Sequence, residues 1–340
     1  MSALWLPVTV LGTWLLAGQL VGRRRLLQTA AAAVPALLPM VAFISASVSP
    51  DGMLYAIWTL ALWLGVRCIR LGVPLREGAV FFALVGLACT VKATSFALLP
   101  AAALVALLGV HARRPLRVPR LVPLGAAVMV PLALTLGAWL VAAALLGRPA
   151  AAQVSQSTAS VSSGGGTNWR ELLSYVWQYY LPRVPGQTPF SIPAIGGRYP
   201  ALEVWITTGW AAFGWLEVRF ARWVYVVLGV VTTGVLAAAV AAIVRGRRAV
   251  DLRVAAFIVL TVAALLAGLH WTDYHQIKLG LGFMQARYVF PVIGILGVAV
   301  ALALWLVPVR ARPAVLGATV AGLFSFHLLC LGLVLERFYA

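Results

Sequence analysis

Long apolar runs alternate with short polar breaks along the whole chain. The runs cover residues 4–21, 29–47, 53–69, 78–91, 94–110, 121–146, 222–244, 253–270, 288–307 and 313–335. A helix needs about 20 mostly apolar residues to cross the hydrocarbon of a bilayer. The pattern therefore predicts an all-α, polytopic membrane helix bundle with about ten transmembrane helices. A transmembrane β-barrel would leave short segments of alternating polarity, and the chain shows none. Run 78–91 is short for a span, which predicts a tilted helix or one that meets its successor inside the membrane. The runs divide the chain into residues 1–146 with the first six helices, a loop segment 147–221, and residues 222–340 with the last four.

The loop segment has its own pattern. Residues 150–168 are rich in Ser, Gly and Gln and read as a flexible linker. Residues 169–181 (WRELLSYVWQYYL) concentrate Trp169, Tyr175, Trp177, Tyr179 and Tyr180. Such a stretch suits a helix at headgroup level, where amphipathic rings settle. Residues 182–200 are Pro- and Gly-rich and irregular, and residues 201–220 carry further tryptophans expected to skim or re-enter the interface.

Composition strengthens this picture. The 340 residues are 63% hydrophobic and 10% charged, with a mean hydropathy of +0.98. A soluble domain has about 45–50% apolar residues and about 25% charged ones. The net charge of +18 points at first to nucleic acid. Its distribution argues for no nucleic-acid partner. The arginines fall in short clusters between apolar runs: Arg23 to Arg25, Arg67/Arg70/Arg76, Arg113 to Arg120, Arg245 to Arg253, and Arg310/Arg312. That is the signature of cytoplasmic loops under the positive-inside rule. With every cluster inside, the N-terminus lies outside, and a further helix and external loop are expected to precede residue 1. Asp51, Lys92, the loop segment, residues 271–287 and Glu336 then share the outer side, with six of the eight acidic residues. Only Glu77 and Asp251 fall on the other. The expectation is a multi-pass plasma-membrane protein with a site on its extracytoplasmic face and the lipid bilayer as its surroundings.

Candidate chemistry gathers on that face. Ser47-Val48-Ser49-Pro50-Asp51-Gly52 is good turn chemistry, with Asp as a helix cap. It also holds a carboxylate at the mouth of a membrane bundle, which is costly and marks a functional candidate. Lys92 sits between two apolar runs with almost no loop. It reads either as a snorkelling lysine or as a cation for phosphate. Arg287 is a second phosphate candidate, because a guanidinium grips phosphate bidentately. Asp273 and Glu203 are candidate bases or ligands for a divalent cation, while Glu217 suits a salt bridge with Arg219 or Arg222. Trp177 and Tyr180 are candidate lipid contacts. His270 and His275, five residues apart, are poorly spaced for one metal, and no metal site is expected there. The cysteines Cys68, Cys89 and Cys330 show neither metal nor disulfide spacing.

Four segments carry a resemblance. SASVSPDGMLYA, LACTVKATSFALLP, AAFGWLEVRFARWVYVV and GFMQARYVFPVIGILG resemble, in order and spacing, the bacterial membrane-protein family known as domain of unknown function 2142. That family is similar to the C-type (GT-C) fold of glycosyltransferases, which take a sugar from a polyprenyl-phosphate donor. The resemblance implies a lipid-linked sugar transferase acting in cell-envelope glycan assembly, with a glycan or lipid acceptor. For such a transfer Lys92 and Arg287 are the candidates for the donor phosphate, Gln285 and Tyr288 for substrate contact, and Asp51, the carboxylate that the resemblance matches, with Asp273, for catalysis. In such enzymes a carboxylate in the first external loop usually serves as base, and this chain begins after the place where that loop would lie. Two rival readings stay open: a transporter or flippase for a lipid-linked substrate, and a non-catalytic membrane scaffold.

Overall fold

All ten apolar runs are helical in the computed structural model, which describes residues 2–112, 118–147, 168–187, 189–190, 200–214, 216–246, 250–279 and 284–339. The helices are α1 Trp5–Leu20, α2 Arg25–Leu37, α3 Pro39–Ala46, α4 Asp51–Leu71, α5 Leu75–Val91, α6 Leu98–His111, α7 Val118–Leu145, α8 Trp169–Tyr180, α9 Arg222–Arg245, α10 Leu252–Lys278, α11 Ile293–Leu306 and α12 Arg312–Tyr339. Among the described residues, seven are long and apolar enough to cross a membrane. Run 29–47 makes an eighth span as a bent pair, α2 and α3, with an angle of 55°. The break falls at Leu38, whose extended backbone is the one favoured before a proline. The other two runs form shorter helices: α5 has 17 residues and α11 has 14. The protein is thus a polytopic all-α membrane protein, with fewer full-length spans than the ten the sequence predicts.

Helix α4 is the centre of the bundle. Tyr55, Trp58, Leu62 and Val66 are buried along it, and it packs against α1, α5, α6, α10 and α11. Helices α7 and α12 lie at the rim, where Met129, Leu134, Leu329 and Leu331 face outward. Backbone polarity is satisfied within each helix, so such faces suit lipid. Small residues set the closest approaches. A Cβ on Gly297 of α11 would sit 2.5 Å from the carbonyl oxygen of Ala31 in α2. Backbone cannot move aside there as a side chain would.

Two segments depart from the sequence expectation. Helix α10 continues to Lys278, where the polar density of residues 271–278 predicts a loop. Its inward positions His270, Asp273 and Tyr274 keep helical spacing. Helix α8 forms as predicted, and packs through Leu172, Tyr175 and Tyr179 onto the last turns of α10. Residues 201–220 fold as a π-helical turn Leu202–Thr207, a short helical turn Thr208–Trp210 and a small antiparallel hairpin, with Ala212 opposite Arg219 and Phe213 opposite Val218. Most of the linker 150–168 and of residues 191–200 lies outside the described residues, as do Arg113, Arg114, Arg117, Arg148, Arg247 and Arg248.

These elements give the bundle two chemically distinct ends. One joins the start of α4, the end of α5, the end of α10, helix α8 and the approach to α11. The other joins the end of α1, the start of α2, the end of α4 and the start of α5, and carries Arg23, Arg24, Arg25, Arg67, Arg70 and Arg76.

Candidate functional site

The turn before α4 is built by its serines, which leaves the aspartate available. Ser47 Oγ donates to the Ile44 carbonyl at 2.7 Å, and Ser49 Oγ accepts from the Asp51 N–H at 3.2 Å. Asp51 is the first residue of α4, where the helix dipole favours negative charge. Its carboxylate is buried, only 4% exposed, and pairs with Lys92 Nζ at 2.5 Å. Lys92 ends α5 in an extended conformation and leads into a 3-10 turn, Ala93–Ala97. That turn is fixed to α4 by the Trp58 indole N–H, which donates to Ser95 Oγ at 3.1 Å.

The same face of α4 holds the approach to α11. Tyr55, one turn after Asp51, donates its hydroxyl to the Arg287 carbonyl at 3.1 Å. Its ring meets Phe290 edge-on at 5.8 Å. Arg287 and Tyr288 lie on a 3-10 turn, Ala286–Tyr288, whose Ala286 N–H donates to Thr208 Oγ1 at 2.8 Å. Lys92 Nζ and the Arg287 guanidinium both lie over the Tyr288 ring, at 4.7 and 5.0 Å. One Arg287 N–H donates to the Tyr288 hydroxyl at 3.0 Å. Arg287 Nε is buried with no hydrogen-bond partner among the described residues. None of the ion pairs among those residues involves Arg287. Two cations and one carboxylate share the ring, which leaves one net positive charge.

A second cluster lies at the same end. The Asp273 carboxylate, in α10, accepts from the Tyr175 hydroxyl of α8 at 2.5 Å and from the Met284 N–H at 3.2 Å. It therefore ties α8 to the segment that carries Arg287. Burial pushes the Tyr175 hydroxyl far above the ordinary tyrosine range, and the Asp273 charge adds to this, so Tyr175 stays a donor. His270 lies 2.8 Å from the Tyr180 hydroxyl and 3.4 Å from that of Tyr175. At the margin of α8, Lys278 Nζ pairs with Glu171 at 2.9 Å. Lys278, and then the Tyr274 hydroxyl, hold the Glu171 carboxyl below its usual range.

Asp51, Lys92, Arg287 and Tyr288, drawn from three separate parts of the sequence, converge on one spot. Asp273 and Tyr180 belong to the second cluster. Trp177 is separate from both: it is 43% exposed, and its indole N–H donates to the Pro182 carbonyl. Gln285 contributes its backbone carbonyl to the Tyr288 N–H. Glu217 is exposed, and Arg219 turns to the Leu216 carbonyl in place of the expected salt bridge. Among the described residues no three His, Cys, Asp or Glu side chains converge as a metal-holding group. Asp273 thus has Tyr175 and Met284 where the sequence reading considers a cation. Sequence reasoning misses Tyr55 and Tyr175. Tyr55 had a legible signal, since it lies four residues after Asp51 on a helix.

Residues 1–145 match the family model of dolichyl-phosphate-mannose-protein mannosyltransferases. The matched region includes Asp51 and Lys92, while Arg287 and Asp273 lie beyond it. The match supports the C-type glycosyltransferase fold that the four-segment resemblance implies. No curated protein and no solved structure matches the chain.

Proposed function

We propose that the protein transfers a sugar from a polyprenyl-phosphate-linked donor at the extracytoplasmic face of the plasma membrane, to a glycan or lipid acceptor of the cell envelope. The observation that carries this reading is the arrangement around Tyr288: a half-buried guanidinium that meets no carboxylate among the described residues, beside a lysine that keeps donors to spare. A buried cation without a counter-ion is costly, and an anionic ligand relieves the cost. Arg287 offers a planar fork for phosphate oxygens. Lys92 has three N–H donors, of which Asp51 takes one. The match to mannosyltransferases that use a lipid phosphate sugar supports the same donor chemistry.

In this reading the acceptor hydroxyl oxygen attacks the anomeric carbon as the bond from that carbon to the phosphate oxygen breaks, and the hydroxyl proton passes to the departing phosphate. The electron pair leaves on the phosphate, and Arg287 and Lys92 stabilise the charge that develops. Asp51 holds Lys92 over the ring and acts through it. Asp273 and Tyr175 fix the segment that carries Arg287 and position the site from behind. The basic clusters at the opposite end support the extracytoplasmic placement.

Binding of polyprenyl phosphate to the purified full chain in nanodiscs tests the proposal. A hydrogen bond to a charged group contributes about 1.5–3 kcal/mol, so Arg287→Ala is expected to weaken binding about 10- to 100-fold. The double variant Lys92→Ala/Arg287→Ala is expected to abolish transfer while the protein still reaches the membrane. Unchanged binding in both variants removes the phosphate role.

A further inference from the structure

The arginine-rich end contains a pocket of about 440 Å³ between α1, the start of α2 and the end of α4. Its walls include Trp14, Trp63, Arg23, Arg25 and Arg67. The volume falls within the roughly 300–1,000 Å³ of small-ligand sites. Three features point to its ligand. First, the charge is one-sided: Arg67 pairs with Glu77 at 3.3 Å, whereas Arg23 and Arg25 are exposed and enter none of the ion pairs among the described residues. Second, Arg67 Nε is buried with no hydrogen-bond partner among the described residues, although another nitrogen of the same guanidinium meets Glu77. Third, α2 begins at this pocket, and no side chain caps its first amides. Free amides at a helix start attract anions.

Hydrogen bonds tie the floor of the pocket together. Gln28 Nε2 donates to the Trp14 carbonyl at 3.1 Å, and Arg70 donates to the Gln19 carbonyl at 2.6 Å. A Cβ on Gly18 would lie 2.6 Å from Gln28 Nε2, so the Gln28 side chain occupies the space that the glycine leaves open. Trp14 and Trp63 supply amphipathic rings of the kind that settle at headgroup level. Basic pockets between helices on the cytoplasmic side suit anionic headgroups.

We propose that this pocket binds the phosphate of an anionic headgroup, with Arg23, Arg25 and the inner edge of Arg67 as its cationic walls. The site is separate from the Tyr288 cluster and stands whether or not the chain transfers sugar.

The test follows thermal unfolding of the full chain in detergent while dioleoyl phosphatidylglycerol, dioleoyl phosphatidylcholine or inorganic phosphate is added. Near saturation, phosphatidylglycerol is expected to raise the midpoint by about 4 °C, and the zwitterionic lipid by much less. Arg23→Gln/Arg25→Gln should lose the shift, and Arg23→Lys/Arg25→Lys should keep most of it. Both arginines are at the surface, so the unliganded midpoint should stay that of the wild type. Lipid retained on the purified protein, read by native mass spectrometry, gives a measure independent of stability: the glutamine variant should carry less phosphatidylglycerol. An equal shift from inorganic phosphate upholds the anion site and makes its ligand a soluble phosphate. Equal shifts from the two lipids, or an undiminished shift and unchanged lipid retention in the glutamine variant, overturn the proposal.

Discussion

At the arginine-rich end, Glu77 and Asp251 meet Arg67 and Arg253 at 3.3 and 3.1 Å, with every partner at least a fifth exposed. At the opposite end, Asp51 and Asp273 are almost fully buried and meet a lysine and a tyrosine. The two kinds of contact have different energetics. A surface ion pair contributes about 0–1 kcal/mol. A buried one roughly offsets its own desolvation, and removing a single partner is strongly destabilising. Surface pairs thus fit an end that keeps positive charge in contact with water. Buried carboxylates organise an end where the chain must hold Lys92 and Arg287 against an aromatic ring.

The comparison breaks most visibly at Asp273. Asp273→Ala leaves the Tyr175 hydroxyl and the Met284 N–H without their acceptor, at about 1–3 kcal/mol for each unsatisfied buried group. We expect a loss of about 3 kcal/mol in stability by chemical denaturation, and looser protection of α8 in hydrogen exchange. Should the variant match the wild type in both, Asp273 does not tie the aromatic helix to the loop.

Asp51 gives the next largest effect, and it separates positioning from chemistry. If Asp51 acts through Lys92, Asp51→Asn should raise KM for the lipid-linked donor about tenfold, near 1.4 kcal/mol, and leave kcat within about threefold. A collapse of kcat at constant KM would instead make Asp51 the base that takes the acceptor proton. Glu77→Gln at the other end serves as the control. Its pair with Arg67 is exposed, so the expected cost is below about 1 kcal/mol, with donor kinetics unaltered.

The bundle was legible from apolar run length, because helices are the economical way to bury a backbone in lipid. The bend at Leu38 was legible too, in the proline after it, yet run length alone passed over it. Polar density makes residues 271–278 read as a loop. His270, Asp273 and Tyr274 nevertheless face inward at helical spacing. The pairing of Asp51 with Lys92 had no local signal. It depends on the packing of α4 against α5, and charges 41 residues apart carry no mark of one another. The sequence puts Asp51, Lys92, Arg287 and Tyr288 on one candidate roll, and the fold adds Tyr55, which fixes the Arg287 turn to α4.

The smallest expected effect lies at the margin of α8. Lys278 and Tyr274 hold the Glu171 carboxyl below its usual range in the folded chain. A carboxyl whose folded pKa is depressed adds stability that is fully present above its unfolded value, about 4.3, and is lost as pH falls through the folded value. The docking of α8 on α10 should therefore be insensitive to pH between about 6 and 8, and should weaken below about 4.3. Hydrogen exchange of residues 169–180 measured across that range reads it directly. Glu171→Gln should abolish the acid-side change and leave the Asp273–Tyr175 contact in place. If the variant keeps the wild-type acid response, the proton goes to another group of the cluster, with Asp273 the first to test.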